Sequence, residues 1–299
     1  MRKSLDRYEI PIKKMYDLIM KIALVLQGGG SRGIFTSAII DKLLEENIKI
    51  DKVFGVSAGA LNAMNFISKQ KGRAKEATLL TFKSKEFTSL KNVIVKRTFV
   101  DFNYYFNDLN KILPFDEKTF KENPTDLCVI ATSLTTGKAC YFLKSETQNL
   151  NEAIKASASI PFVAKPVKIN SDLYLDGGDS DPIPLQKALD EGFDKIIVVL
   201  TRPYGFRKSK TIKKQKQKLI EVVFKKYQNY VYALKNSHQN YNTCVEEVEK
   251  ENEKVFVFAP SEEINLKHLE KNKEKLNYYY DLGKKVFEGN KKKLADFLS

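Results

Sequence analysis

Short, uninterrupted apolar runs dominate roughly the first two thirds of the chain, each closed by a glycine turn and followed by a helical pattern. Ile22–Leu26 (IALVL) has no polar position, which predicts a strand buried on both faces. GlyGlyGly at 28–30 ends it, and residues 31–46 then read as a helix with Ile34, Ala38, Leu43 and Leu44 on one side. Residues 51–54 predict a second short strand, stopped by GlyValSerAlaGly at 55–59, and a helical pattern follows over 58–69. Strand, tight turn and helix, twice in succession, argue for an α/β sheet with parallel members.

Residues 82–123 break this rhythm. They are rich in aromatics (FNYYF at 102–106) and lysines with weak periodicity, and predict a helical cap inserted beside the sheet. Strand patterns return at 127–132 and 139–143, joined by ThrThrGlyLys as a hairpin. A helix is expected over 150–157, a strand over 173–175 running into AspGlyGly at 176–178, a helix from about Pro184, and a buried strand over 195–200. Beyond residue 205 lysine-rich helical patterns continue to the end, interrupted by one strand at 255–258. The expected organisation is an N-terminal extension over 1–20, an α/β core over 21–204, and a mainly helical C-terminal extension over 205–299 docked on the core through that last strand.

The 299 residues suffice for a full core, and 42 % apolar with 29 % charged residues excludes a disordered chain. The excess of 51 Lys and Arg over 37 Asp and Glu, a net +14, favours anionic partners. No nucleic-acid motif accompanies the charge, so nucleic acid is not expected; an anionic membrane surface is the alternative. Segment 207–218, with seven basic residues in twelve, reads equally as such a contact or as a solvated helix face. Cys128, Cys140 and Cys244 form no metal-like cluster and read as reduced thiols, so neither metal nor cofactor is expected. No apolar run is long enough to span a bilayer. The apolar stretch near the N-terminus is broken by Asp17 and Lys21 and runs into glycines rather than a cleavage site. No signal peptide is expected, and the location read from the sequence is cytoplasmic, with peripheral membrane contact left open.

Three motifs carry candidate chemistry. In GlyGlyGlySerArgGly at 28–33, between a strand and a helix, outward amides and the helix N-terminus suit an anion. The same residues fit GxGxxG, but a nucleotide fold calls for an acidic residue at the end of the second strand, where this chain has Gly55, Ser57 and Gly59. A nucleotide- or anion-binding module without hydrolysis therefore stands as an alternative. GlyValSerAlaGly is a GxSxG elbow, which pushes a serine out of a strained strand-to-helix turn. AspGlyGly at 176–178 places a carboxylate where a neighbouring strand can approach closely, although alone it is also an ordinary turn. All three read as lying at the carboxyl ends of strands, where α/β sheets gather their ligands.

In this order the motifs resemble the patatin-like phospholipase family: the GlyGlyGly-x-Arg-Gly loop, GxSxG some twenty-odd residues later, and a distant AspGlyGly. AlaSerAlaSerIlePro at 156–161 and AspProIlePro at 181–184 are similar to the family's surroundings of its catalytic Asp, and the resemblance spans roughly residues 20–200. It implies a three-layer α/β/α fold with a mostly parallel sheet, and an acyl lipid or phospholipid substrate. It also implies a Ser57–Asp176 dyad, an oxyanion hole from the amides of Gly28, Gly29 and Gly30, and no cofactor. Ser31, Arg32, Gly33, Gly55, Gly59, Gly177 and Gly178 are the supporting positions. For Arg32, fixing the loop, meeting an anionic head group and forming a structural ion pair all stand open.

Serine attack needs a base, ordinarily a histidine oriented by a carboxylate. The two histidines, His238 and His268, sit in Lys- and Asn-rich stretches that read as helical surface, so a histidine triad is not expected. A solvated Asp, with pKa near about 3.9, is a weak base at neutral pH; burial is expected to raise it.

Overall fold

The apolar run Ile22–Leu26 is an interior strand of one eight-stranded sheet. In this computed structural model, which describes residues 20–89, 98–209 and 214–299, the strands are β1 (Ile22–Leu26), β2 (Lys52–Val56), β3 (Asp126–Ser133), β4 (Ala139–Leu143), β5 (Val167–Ile169), β6 (Asp172–Asp176), β7 (Lys195–Val199) and β8 (Val255–Phe258). The helices are α1 (Gly33–Glu45), α2 (Ala58–Ile67), α3 (Arg73–Lys83), α4 (Leu109–Ile112), α5 (Glu117–Glu122), α6 (Leu150–Ser157), α7 (Leu185–Asp190), α8 (Lys214–Val223), α9 (Gln228–Lys235), α10 (Ser237–Glu249) and α11 (Lys273–Leu298). The expected N-terminal extension lies, up to residue 19, outside the described residues, as do 90–97 of the expected cap and 210–213 of the basic segment.

Sheet order is β5-β6-β3-β2-β1-β7-β8, with β4 also on β3. From β3 through β8 the neighbours are parallel, and helices cover both faces, as the expected α/β class requires. Leu24 and Leu26 point into one core layer, Ala23 and Val25 into the other, which is why β1 tolerates no polar residue. The remaining pairs, β3 with β4, β3 with β6 and β5 with β6, are antiparallel. No strand is expected at β5 from sequence, because three residues with Lys168 at the centre are too short for periodicity to register.

Helix α1 differs from the expected one-sided stripe. Ile34, Phe35, Ala38, Ile39, Ile40 and Leu43 are all buried, because the C-terminal α11 covers a second face. Phe35 meets the ring of Tyr279 at 5.8 Å, and Tyr280 donates to Asp41 Oδ2 at 2.7 Å. A partner some 240 residues away leaves no trace in local periodicity. Beside α2 and α3, residues 98–122 make short helical turns, including a π-helical turn at Tyr104–Asp108, rather than a long helix. Tyr104, Tyr105, Leu109, Phe87 and Val100 pack into one apolar cluster there. Among the described residues, no helix is long and apolar enough to cross a membrane.

A tight backbone approach lies where α2 begins against the end of β1. A Cβ added at Gly59 would stand 2.2 Å from the Leu26 carbonyl oxygen. Neither backbone can yield without breaking the β1 ladder, so Gly59→Ala is expected to destabilise the protein by about 3 kcal/mol or more. A lowered urea midpoint with an unchanged denaturant slope checks this.

Candidate active site

Ser57 is the single residue between β2 and α2. Its backbone takes φ 55° and ψ −121°, a conformation that costs a non-glycine residue about 1–3 kcal/mol and lifts the side chain clear of the sheet. The strain is held from both sides. The amides of Ala60 and Leu61 donate to the Ser57 carbonyl at 3.0 and 3.3 Å, and the Ser57 amide donates to Ser157 Oγ at 2.8 Å.

Asp176 reaches Ser57 by an unexpected route. Its strand β6 runs antiparallel to β3, so AspGlyGly follows a carboxyl end that points against those of the parallel strands. Register does the placing instead: Asp176 lies opposite Ala131 of β3, and Ile130 lies opposite Val56 of β2. The carboxylate thereby comes level with position 57, and Ser57 Oγ donates to Asp176 Oδ2 at 2.7 Å. Oδ1 accepts the Gly178 amide at 2.8 Å, the Asp176 amide donates to the Ser159 carbonyl at 3.0 Å, and Thr132 Oγ1 donates to the Asp176 carbonyl at 2.7 Å. Burial pushes the Asp176 carboxyl up to about 6, against the opposing pull of the Gly178 amide, the Ser57 hydroxyl and the Lys208 charge. Asp179, which accepts from Tyr230 Oη at 2.8 Å, is pushed up to about 7 by burial and then by the charge of Asp176.

The glycine loop runs alongside. A Cβ at Gly28 would stand 2.9 Å from the Cβ of Ser57, so only glycine lets the loop lie this close. Thr201 Oγ1 donates to the Gly28 carbonyl at 2.8 Å, and the Arg32 amide donates to the Gly29 carbonyl at 3.2 Å. In a planar trans peptide the following N–H points the opposite way, so these bonds fix the directions of the Gly29 and Gly30 amides. Among the described residues, the amides of Gly28, Gly29 and Gly30 donate to no protein group. Ser31, by contrast, is fully engaged: its amide and Oγ donate to the His268 carbonyl at 2.9 and 2.7 Å, and its Oγ accepts the Glu270 amide. Arg32 donates through Nη1 to the Leu266 carbonyl at 2.9 Å. Gly33 opens α1 against Ala58, Gly55 lies within β2, and Gly177 follows Asp176 in a short 3₁₀ turn.

The histidine expectation needs correction. His268 lies in a turn after β8, not in a helix, and its ring reaches the same cleft as Ser57, with Nε2 3.4 Å from Arg32 Nη2. The polar neighbours that suggested a helical surface do face water, but Ser31 and Arg32 tie the backbone of 266–268 to the glycine loop. Although His268 keeps much of its surface exposed, partial loss of solvent at the cleft and then the charges of Arg32, Lys208 and Arg202 push its pKa down, so it is neutral at pH 7. His238 is half-buried near the start of α10, with Nδ1 unpartnered among the described residues. Asp176, not an imidazole, holds the hydrogen bond to Ser57 Oγ.

Two hollows meet at Ser57 and Gly30, which line both. One, of about 700 Å³ counted to its open mouth, is walled by Leu61, Phe82, Phe102, Tyr105 and Val163. The other, of about 1080 Å³, contains Asp176 and the basic side chains of Arg32, Arg202, Lys208 and Lys216. Ser157, Thr132, Thr201, Asp179 and Arg202 have no signal of a site role in the sequence, and Lys208 and Lys216 stand out there only as members of the basic segment 207–218. AlaSerAlaSerIlePro at 156–161 was a visible signal for Ser157 and Ser159, but not for their roles as braces of Ser57 and Asp176.

Residues 24–189 match the model of the patatin-like phospholipase family, and residues 227–299 match a domain of unknown function (DUF6363). The uncharacterized protein YjjU of Escherichia coli is 31 % identical over 198 residues, 61 % of this chain and 52 % of its own length. An uncharacterized NTE family protein of Mycobacterium bovis is 26 % identical over 183 residues, 60 % of this chain and 48 % of its own. Lysophospholipase NTE1 of Meyerozyma guilliermondii is 28 % identical over 194 residues, 60 % of this chain and 12 % of its own. The chain thus spans about half the length of the first two relatives.

Proposed function

Because the chain belongs to the patatin-like phospholipase family, we propose that it is a serine hydrolase of lipid acyl esters, with Ser57 as nucleophile and Asp176 as its base. The observation that carries this reading is the 2.7 Å Ser57–Asp176 hydrogen bond at a strained elbow, beside three unengaged amides and an apolar hollow.

Asp176 Oδ2 takes the hydroxyl proton as Ser57 Oγ adds to the ester carbonyl. The tetrahedral oxyanion is met by the amides of Gly28, Gly29 and Gly30, each such donor being worth about 3–4 kcal/mol. Collapse expels the alcohol, which receives the proton from Asp176. Water then attacks the acyl-serine, giving its proton to Asp176, and the released serine regains a proton. The acyl chain lies in the hollow walled by Leu61, Phe102 and Val163, which keeps water from the reacting atoms.

The base must be ionised to accept a proton, so activity depends on pH. With Asp176 raised to about 6, kcat/KM for a short-chain p-nitrophenyl ester is expected to rise through about pH 6 and level off above it. A profile flat from pH 4 to 8 would count against Asp176 as base. Tight nucleotide binding with no Ser57-dependent hydrolysis would favour the anion-binding alternative.

The reading extends to the surface around the cleft. Ile220 of α8 and Phe224 just after it are buried, while Leu219, Val222 and Val223 are 48 %, 62 % and 51 % exposed, between Lys214, Lys216 and Lys218 before them and Lys225 and Lys226 after. Phe162, 40 % exposed at the lip of the cleft, stacks edge-on against Phe224 at 5.5 Å. An apolar stripe ringed by lysines next to the site fits an anionic bilayer surface. Leu219→Asp with Val222→Asp is expected to weaken co-sedimentation with anionic vesicles about tenfold or more. Unchanged binding, or loss of a dimer in place of vesicle binding, would contradict this surface.

A further inference from the structure

The cleft opposite the apolar hollow is cationic beyond what its own carboxylates balance. Four basic side chains line it, and Arg202 alone is neutralised, by Glu263. Among the described residues, Arg32, Lys208 and Lys216 have no carboxylate within 4.0 Å. Arg32 is only 5 % exposed, and its Nε has no hydrogen-bond partner. Leaving a buried guanidinium nitrogen unmatched is costly unless something outside the chain completes it.

Lys208 is not a loose surface lysine. Its amide donates to Asn242 Oδ1 at 2.8 Å, and Asn242 Nδ2 donates back to the Lys208 carbonyl at 3.1 Å. Its ammonium rests over the ring of Tyr241 at 4.5 Å, and Tyr241 itself lines the cleft. Asn242 and Tyr241 belong to α10, and Lys208 and Lys216 lie beyond the 24–189 match, so this charge is furnished by the C-terminal part of the chain. The two carboxylates in the cleft, Asp176 and Asp179, carry at most two negative charges against the three cations that lack a carboxylate partner.

We propose that this cleft is a subsite for the polar head of the lipid whose ester lies at Ser57, with Lys208 and Lys216 selecting heads of net negative charge over zwitterionic ones. The inference rests on Ser57 being the nucleophile. A phosphate placed beside Arg32 and Lys208 supplies the missing counter-charge, and an added choline-type ammonium would enter the repulsive field of Lys208 and Lys216. Free phosphate shares that chemistry, so the experiment must tell a head group from an ion.

The test uses the full chain and monomeric short-chain phosphatidylglycerol and phosphatidylcholine with identical acyl chains, below their micelle concentrations, so that surface adsorption plays no part. The wild-type ratio of kcat/KM, glycerol head over choline head, is expected to exceed about ten. Lys208→Gln with Lys216→Gln should bring it towards one, mainly through KM, and Lys208→Arg should retain it. Equal loss on both substrates, or a ratio unchanged in the double variant, overturns the inference. So does inhibition by inorganic phosphate with a wild-type ratio near one, which marks an ion trap. Hydrolysis that persists in Ser57→Ala would instead overturn the underlying reading, whatever the ratios.

Discussion

Replacing Ser57 by alanine is expected to lower kcat/KM for ester hydrolysis about ten-thousand-fold or more, with the fold intact. The side-chain oxygen makes one hydrogen bond, to Asp176 Oδ2, and its removal leaves the backbone contacts of the elbow in place. The Gly178 amide still satisfies Oδ1. The unusual φ of 55° persists, because Ser157 and the first turn of α2 impose it. Circular dichroism and the urea midpoint should therefore match the wild type within about 1 kcal/mol. Turnover that survives the substitution would remove the nucleophile from the account.

Asp176→Asn is the second large effect, a loss of about a thousand-fold or more, because an amide cannot take the serine proton. The variant preserves shape and can keep the bond from the Gly178 amide, so the loss is chemical. Stability should move the other way at alkaline pH. A carboxyl whose folded pKa is raised to about 6 from about 3.8 binds more protons in the folded than in the unfolded state between those values. Its contribution to stability is present below about pH 3.8 and is lost as pH rises through about 6. The neutral amide escapes that loss, so the variant is expected to be more stable than wild type by about 1–3 kcal/mol at pH 8, with the gap closing near pH 4. Urea titrations at the two pH values check the sign. An active-site carboxylate that costs stability is a common trade in enzymes.

Much of this arrangement is legible in the residues. Buried parallel strands announce themselves as polar-free runs such as Ile22–Leu26 and residues 196–199, and a glycine turn marks where the first stops. The serine elbow is equally plain, since GlyValSerAlaGly follows an apolar strand directly. Long-range pairing is not encoded this way. That Asp176 arrives on an antiparallel strand and is levelled with Ser57 through Ala131 and Ile130 depends on register across β3, which no local pattern states. Turn 266–268 reads as helical surface because Asn265 and Lys267 are polar, yet its carbonyls hold Ser31 and Arg32. Lys208 looks like one charge in a basic run until Asn242 and Tyr241 fix it at the cleft wall. In each case the missing information is a partner distant in sequence.

In the proposed reaction the hydroxyl of residue 57 is activated by a carboxylate without help from an imidazole. Peptide mass mapping after reaction with a fluorophosphonate tests it directly. One adduct is expected, on Ser57, formed at comparable rates in wild type, His238→Gln and His268→Gln, and strongly slowed in Asp176→Asn. An adduct on another residue, or labelling lost in His268→Gln and retained in Asp176→Asn, would contradict it.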